Sequence, residues 1–373
     1  MPVFPKSLVL PPRTISGGGT VRDLLTECGA YGSRGVLVHG GSLERSGALA
    51  RITSSCPDGV ILQSWKYSGS FEPTLDDVES LLAVVRKHDA MWVAGVGGGS
   101  VMDIAKAGAG LKNAPLPVLN YHEGAKIPCS RIPFIAVPTT AGTGSEATSV
   151  CVFMNPVSGE KKSFRHPSFM AGLVILDSEL LRDCPPGVIA ASGMDALTQA
   201  IESFVSRGAT WFSDECALKA TGLIAANLVG VWKDASGPGA LAMLEGSFLA
   251  GIALANARLG LVHGLAHPLG ARFKVPHGLA CAVCLPAVLD FNRPAIGAKY
   301  KVLSDVLGGD AVSVVRHFLA ELRISSPFAV AAIADRKAVI RETLASGSTA
   351  ANPREVAAED VGRIMDLLFA AAS

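Results

Sequence analysis

The stretch VAGVGGGSVMDIAKA, residues 93–107, reads as a strand that runs into three glycines and then a helix. Gly97, Gly98 and Gly99 remove side chains where a backbone must approach a pyrophosphate. A helix amino terminus begun by Ser100 offers free N–H groups and the positive end of a helix dipole, with Asp103 one turn further on as another candidate contact. The pattern is not the full GxGxxG, so by itself it leaves a tight structural turn as the alternative.

A second loop supports the nucleotide reading. PTTAGTGSEAT, residues 138–148, follows the strand-like FIAVP and supplies the hydroxyls of Thr139, Thr140, Thr143 and Ser145 on a glycine-loosened backbone. Two such loops at strand ends of one sheet suit a dinucleotide lying across the strand termini. A third, HGGSLERSG (39–47), follows the strand-like GVLVH. An acid at such a strand end would bind the ribose 2′-hydroxyl of NAD and repel a 2′-phosphate. Here the strand runs instead into Gly40, Gly41, Ser42 and Arg45, which favours NADP(H).

Working outward, GVLVH (35–39), VILQS (60–64) and MWVAGV (91–96) have strand-like length and β-branched content. Between the last two, Leu75, Val78, Leu81, Leu82 and Val85 share one helical face, with Thr74 placed as the cap. FIAVP (134–138), VCVFM (150–154) and LVILD (173–177) are further strand candidates. Strand and helix in this alternation predict a parallel sheet covered on both faces. Near residue 183 the texture changes to Ala-rich and Leu-rich helical patterns. The expectation is an α/β, Rossmann-like dinucleotide-binding domain over residues 1–183 and an all-α domain over residues 184–373, ending in an amphipathic helix through Val361, Ile364, Leu367 and Leu368.

Composition bounds the partners. A net charge of +1 with 17% charged residues argues against a nucleic-acid surface, which needs a clustered basic excess. The amino terminus lacks a secretory pattern, and apolar stretches are interrupted before the length of a membrane span, so a cytoplasmic protein without membrane contact is expected. Eight cysteines are spread along the chain with one close pair, Cys281 and Cys284. A zinc ribbon needs a second pair, and the apolar surroundings of this one read as a buried helix.

GMDALTQAIESF (193–204) places Asp195 and Gln199 on one helical face. His263 and His267 are likewise four apart, and His277 follows Pro276. A carboxylate with neutral imidazoles is a usual ligand set for a divalent transition metal. Arg272 and Lys274 put positive charge beside the histidines, and Lys161 and Lys162 form another basic pair whose alternative is a charged hairpin.

GGGSVMDIAKA, PTTAGTGSE, GMDALTQAIE and HGLAHPLG with PHG, in this order, resemble the iron-containing, or group III, alcohol dehydrogenases. The resemblance implies an amino-terminal dinucleotide domain, a helical metal domain and a catalytic divalent ion, Fe(II) ahead of Zn(II). By motif match, Asp195, His263 and His277 take ligand positions, and His267 matches a histidine near the nicotinamide associated with catalysis. Lys162 matches a lysine near the cofactor ribose, and HGGSLERSG looks like the loop of the NADP-preferring branch.

Gln199 departs from the family, which usually has histidine there. An amide oxygen is a poorer ligand but acceptable to Fe(II), so a set of Asp195, Gln199, His263 and His277 is expected. The implied reaction is NADPH-dependent reduction of a small aldehyde, with His267 relaying the proton. Arg272 and Lys274 would hold the acid group of an aldehyde such as phosphonoacetaldehyde or sulfoacetaldehyde; a solvated surface pair is the alternative. A metal-independent reductase, a dehydroquinate-synthase-like cyclase and a non-catalytic nucleotide-binding relative are the competing readings. The expected partners are the small aldehyde or alcohol and a second copy of the chain in a homodimer.

Overall fold

Six strands carry the first unit: β1 (Thr14–Ser16), β2 (Arg34–Gly40), β3 (Ile61–Tyr67), β4 (Trp92–Gly97), β5 (Phe134–Pro138) and, after the β6 (Val150–Met154) and β7 (Lys161–Arg165) pair, β8 (Ala171–Leu176). The structure is a computed structural model and describes residues 2–69, 72–328 and 335–370. The six strands form one parallel sheet in the order β1-β8-β5-β4-β2-β3. Central strands β4 and β5 are buried throughout, as a sheet covered on both faces requires. Alternation divides their side chains: Leu37, Ala94, Val96, Ile135, Val137 and Ile175 meet helices α1 (Leu24–Gly29), α2 (Gly41–Arg45) and α3 (Ala48–Ser54).

Helices α4 (Leu75–Lys87), α5 (Gly99–Gly110) and the short α6 (Val118–His122) complete the unit. Helix α4 starts as its sequence predicts: Thr74 and Asp77 form a capping box, and Leu75, Val78, Leu81, Leu82 and Val85 are all buried. Because β3 lies on one side of β2 and β4 on the other, the winding reverses at β2 and β4. Ligands of such sheets sit beyond the carboxyl ends of the strands flanking the reversal. Those ends are where the loops opened by Gly40 and Gly97 stand.

Several expectations need correction. VCVFM is a strand, β6, but it pairs antiparallel with β7 as a hairpin outside the parallel sheet. The β3 strand begins at Ile61, not Val60, and lies at the sheet edge with Ile61 exposed. Helix α5 begins one residue earlier than predicted, at Gly99, because extended Gly98 already serves as its N-cap.

The second unit is helical: α7 (Pro186–Val205), α8 (Trp211–Lys233), α9 (Ala240–Ala257), α10 (Leu261–Phe273), α11 (His277–Leu307), α12 (Ala311–Glu321), α13 (Arg336–Ala345) and α14 (Ala358–Phe369). The chain divides between Cys184 and Pro185, and residues 2–8 pack with this helical unit instead of the sheet. Carbonyls of Pro2 and Val3 accept from the N–H groups of Trp211 and Phe212, the otherwise unpaired first donors of α8. Along α14, Val361, Ile364 and Leu368 are buried, whereas Leu367 points outward and is 67% exposed.

Among the described residues, α9 and α11 are long and apolar enough to cross a membrane, contrary to the expectation of interrupted apolar stretches. Most of each apolar window is buried inside the protein, which accounts for the composition as helix-on-helix packing.

Candidate functional site

Parallel pairing sets Gly97 beside Pro138, so the glycine turn after β4 and the hydroxyl-rich loop after β5 emerge side by side. Thr139 N–H donates to the Gly97 carbonyl at 3.0 Å. A Cβ at Gly99 would stand 2.7 Å from the Thr143 methyl, so only glycine admits this approach. Gly98 lies against Thr140 in the same way, at ordinary contact distance. Thr139, Thr140 and Ser100 are partly exposed and Thr143 is exposed, leaving their hydroxyls at the surface beside the amino terminus of α5.

Two residues expected to touch the cofactor do something else. Ser145 donates its hydroxyl to Asp103 Oδ1 at 2.6 Å, and Asp103 Oδ2 accepts from Val152 N–H at 2.9 Å. The Ser145 hydroxyl also accepts from Lys106 Nζ at 2.9 Å. Asp103 and Ser145 thus tie the loop to α5, and their polar atoms are occupied. Lys106, not singled out in the sequence, is fully buried and donates to the carbonyls of Ser145, Thr148 and Val150 at 2.8, 3.0 and 2.7 Å. Burial pushes its pKa down, with Asp103 opposing that shift.

After β2, Gly40 caps the short α2, and Ser42 and Arg45 on it are exposed. Gly41 lies directly under the Arg45 guanidinium. The one carboxylate of this loop, Glu44, is held by Lys66. Lys162 stands on β7 and pairs with Glu160 at 2.8 Å, the charged hairpin that was the alternative reading of that pair.

In the helical unit, α7 delivers Asp195 and Gln199 from successive turns of one face. Helix α10 delivers His263 and His267. It ends at Lys274 in the left-handed conformation, and Pro276 then caps α11, whose first residue is His277. A Cβ at Gly278 would lie 2.4 Å from the Ala191 carbonyl and 3.3 Å from Asp195 Cβ, so glycine lets α7 and α11 meet here.

The cluster is built around Asp195 and His263, each 2% exposed. Asp195 Oδ1 stands 3.6 Å from His263 Nε2 and 3.7 Å from His277 Nε2. Gln199 donates from Nε2 to the other oxygen, Asp195 Oδ2, at 3.1 Å. Glu202, missed in the sequence, accepts from His263 Nδ1 at 2.6 Å and from Val262 N–H at 2.6 Å. Its position seven residues beyond Asp195, two helical turns along the same face, was the available signal. The Glu202 carboxylate, an acceptor only, places a proton on His263 Nδ1 and turns Nε2 toward Asp195.

Cys281 joins this cluster. Its Sγ lies 3.6 Å from His277 Nε2, and one ligand atom each from Asp195, His263, His277 and Cys281 falls within 4.8 Å of the others. Both cysteines are fully buried, as core packing requires, and Cys281 in addition borders this cluster. His267 is exposed, its ring stacked on His277 with centroids 5.2 Å apart.

The donors suit a cation. Asp195 Oδ1, His263 Nε2 and Gln199 Oε1 are buried without hydrogen-bond partners, an arrangement costing about 1–3 kcal/mol per group unless something binds there. Burial opposes a charge on His263, but Cys281, Asp195 and Glu202 outweigh it and raise its pKa well above the ordinary imidazole value. Burial likewise opposes the Asp195 carboxylate, and His277 and His263 outweigh it and lower its pKa. Positive charge is what this cluster lacks.

Arg272 does not serve as a free cation near these groups. Its guanidinium is bidentate to Glu342 at 2.7 and 2.6 Å, in the fork geometry that fully engages a carboxylate. The guanidinium expected to hold an acid group is thus engaged by a carboxylate of the chain itself. Lys274 is exposed at the α10 turn.

Sheet, loops and cluster are together those of a metal-dependent dehydrogenase. Residues 11–178 match the family described as iron-containing alcohol dehydrogenase, and residues 189–369 match its carboxyl-terminal domain family. The chain belongs to the iron-containing alcohol dehydrogenase family. It is 36% identical to the protein named "Probable alcohol dehydrogenase EutG" of Escherichia coli, over 86% of this chain and 83% of that protein. To lactaldehyde reductase of Escherichia coli it is 33% identical, over 92% of this chain and 94% of that one. The crystal structure of sulfoacetaldehyde reductase from Bifidobacterium kashiwanohense in complex with NAD+ superposes with a TM-score of 0.91 at 26% identity, covering 97% of this chain and 98% of that one.

Membership makes the chain an oxidoreductase of alcohols and aldehydes that uses a nicotinamide cofactor and a divalent metal. The cyclase and non-catalytic readings are set aside by these relatives.

Proposed function

We propose that the protein reduces a small, uncharged aldehyde to its alcohol with NADPH in the cytoplasm. The observation that carries the metal-dependent part is the pair of buried, unpartnered atoms Asp195 Oδ1 and His263 Nε2, 3.6 Å apart. A divalent metal held by Asp195, His263 and His277 supplies Lewis acidity toward the carbonyl oxygen. In balance, aldehyde, NADPH and one proton give alcohol and NADP+. His267, exposed and stacked on His277, is the residue assigned to bring that proton to the substrate oxygen.

The cofactor is held by backbone at Gly40, Gly41, Gly97, Gly98 and Gly99 and by hydroxyls of Ser100, Thr139, Thr140 and Thr143. Asp103 and Ser145 position these loops. NADPH is favoured because Ser42 and Arg45 are exposed beyond β2 while Glu44 is neutralised by Lys66. Lys162, paired with Glu160, carries no assigned contact. An uncharged substrate is favoured because Glu342 neutralises Arg272. Free thiols at all eight cysteines agree with a reducing compartment.

The test is NADPH and NADH oxidation by the metal-loaded protein, with propionaldehyde, lactaldehyde and sulfoacetaldehyde compared. Expected are turnover of the neutral aldehydes, a preference for NADPH that Arg45→Ala erodes, and no change in aldehyde preference in Arg272→Gln. Preference for sulfoacetaldehyde, or for NADH, would reverse the corresponding part of the reading.

A further inference from the structure

We infer that the fourth protein ligand of this metal centre is the Cys281 thiolate and that Gln199 positions Asp195 without binding the metal. The inference rests on the proposed reading that the cluster holds a divalent metal. An imidazole is absent at position 199, and the structure places a different donor within reach. Cys281 follows His277 by four residues on α11, so both side chains leave one helical face. The Gly278 contact with α7 then brings that face against Asp195.

Orientation separates the two candidates for the fourth position. Asp195 Oδ1 faces His263 Nε2 and His277 Nε2, and the Cys281 sulfur joins those three atoms within 4.8 Å. Gln199 presents its N–H donor to Oδ2, the other carboxylate oxygen. An amide donor cannot bind a cation, but it can hold Asp195 in the rotamer that aims Oδ1 at the imidazoles. Gln199 Oε1 is itself buried without a partner, so the rival set is Asp195, Gln199, His263 and His277.

The two sets have different chemistry. One carboxylate, two imidazoles and a thiolate form a softer donor group than one containing an amide oxygen, and thiolate ligation shifts preference from Fe(II) toward Zn(II). On metal binding the thiol proton leaves to solvent and the sulfur lone pair forms the bond, with no change of oxidation state.

The experiment loads the full-length protein with cobalt(II) and records its near-ultraviolet absorption, where sulfur-to-cobalt charge transfer appears. The expected result is a charge-transfer band in wild type, Gln199→Ala and Cys284→Ser, and its loss in Cys281→Ser with cobalt still bound. X-ray absorption at the zinc edge of the zinc-loaded wild type checks the same bond without a variant, a sulfur scatterer at about 2.3 Å being expected. Bound cobalt with no band in wild type, a band that survives Cys281→Ser, or zinc without a sulfur neighbour overturns the thiolate and leaves the proposed reductase intact. Failure to take up either metal overturns both.

Discussion

Glu202 lies outside the expected ligand set yet grips one of its members. With one oxygen on His263 Nδ1 and the other on Val262 N–H, it fixes both the tautomer and the direction of the imidazole. Glu202→Gln preserves size and an acceptor while removing the charge. Metal affinity is expected to fall roughly 10–100-fold, measured by competition against a chromophoric chelator. An unchanged affinity would mean that packing alone orients His263. At the same scale Arg272 teaches the opposite lesson, because its position beside three histidines suggested a substrate cation. The carboxylate that neutralises it comes from residue 342, too far along the chain for spacing to reveal.

Among elements, the joint between α5 and the loop after β5 depends on one buried amine. Lys106 crosses from the helix to the carbonyls of Ser145, Thr148 and Val150, and it also supports the Ser145 hydroxyl, which in turn engages Asp103. Replacing it with methionine keeps most of the apolar stem but removes the buried charged donor that those carbonyls and the Ser145 hydroxyl share. A loss on the order of 3 kcal/mol in the stability of the sheet unit is expected from denaturant unfolding, together with a higher KM for NADPH. Normal stability with normal KM would show that the loop holds itself. The closing segment works similarly in the helical unit: Asn352 accepts from Leu261 N–H at 3.2 Å and exchanges bonds with Asn292 on α11. The turn-rich connection over residues 344–356 thus fastens the start of α10 against α11.

For the whole molecule, the proposed metal centre would be a cross-link as well as a catalytic group. Its residues come from α7, α10 and α11, which the unfolded chain scatters over more than eighty positions. A metal that binds the folded state alone stabilises it by about 2.7 kcal/mol at a free concentration of 100 times Kd. Chelation is therefore expected to lower the melting temperature of wild type and to leave Asp195→Asn, already without its carboxylate, unmoved. Equal melting temperatures with and without chelator in wild type would argue against a resident metal.

The sequence by itself determined the alternation that builds the parallel sheet, the capping of α4, the glycine turn after β4 and the spacing of Asp195, His263 and His277. Each of these depends on periodicity, backbone freedom or neighbours within a turn or two, so local residue identity is enough to specify it. What only the tertiary structure decided are the interactions between distant segments. The antiparallel pairing of VCVFM, the burial of Lys106 under residues 145–150 and the neutralisation of Arg272 all depend on which elements meet. Cys281 stands between the two cases: its spacing of four from His277 was visible, but its apolar neighbourhood reads as core packing. Only the approach of α7 to α11 at Gly278 sets a carboxylate and two imidazoles beside the sulfur.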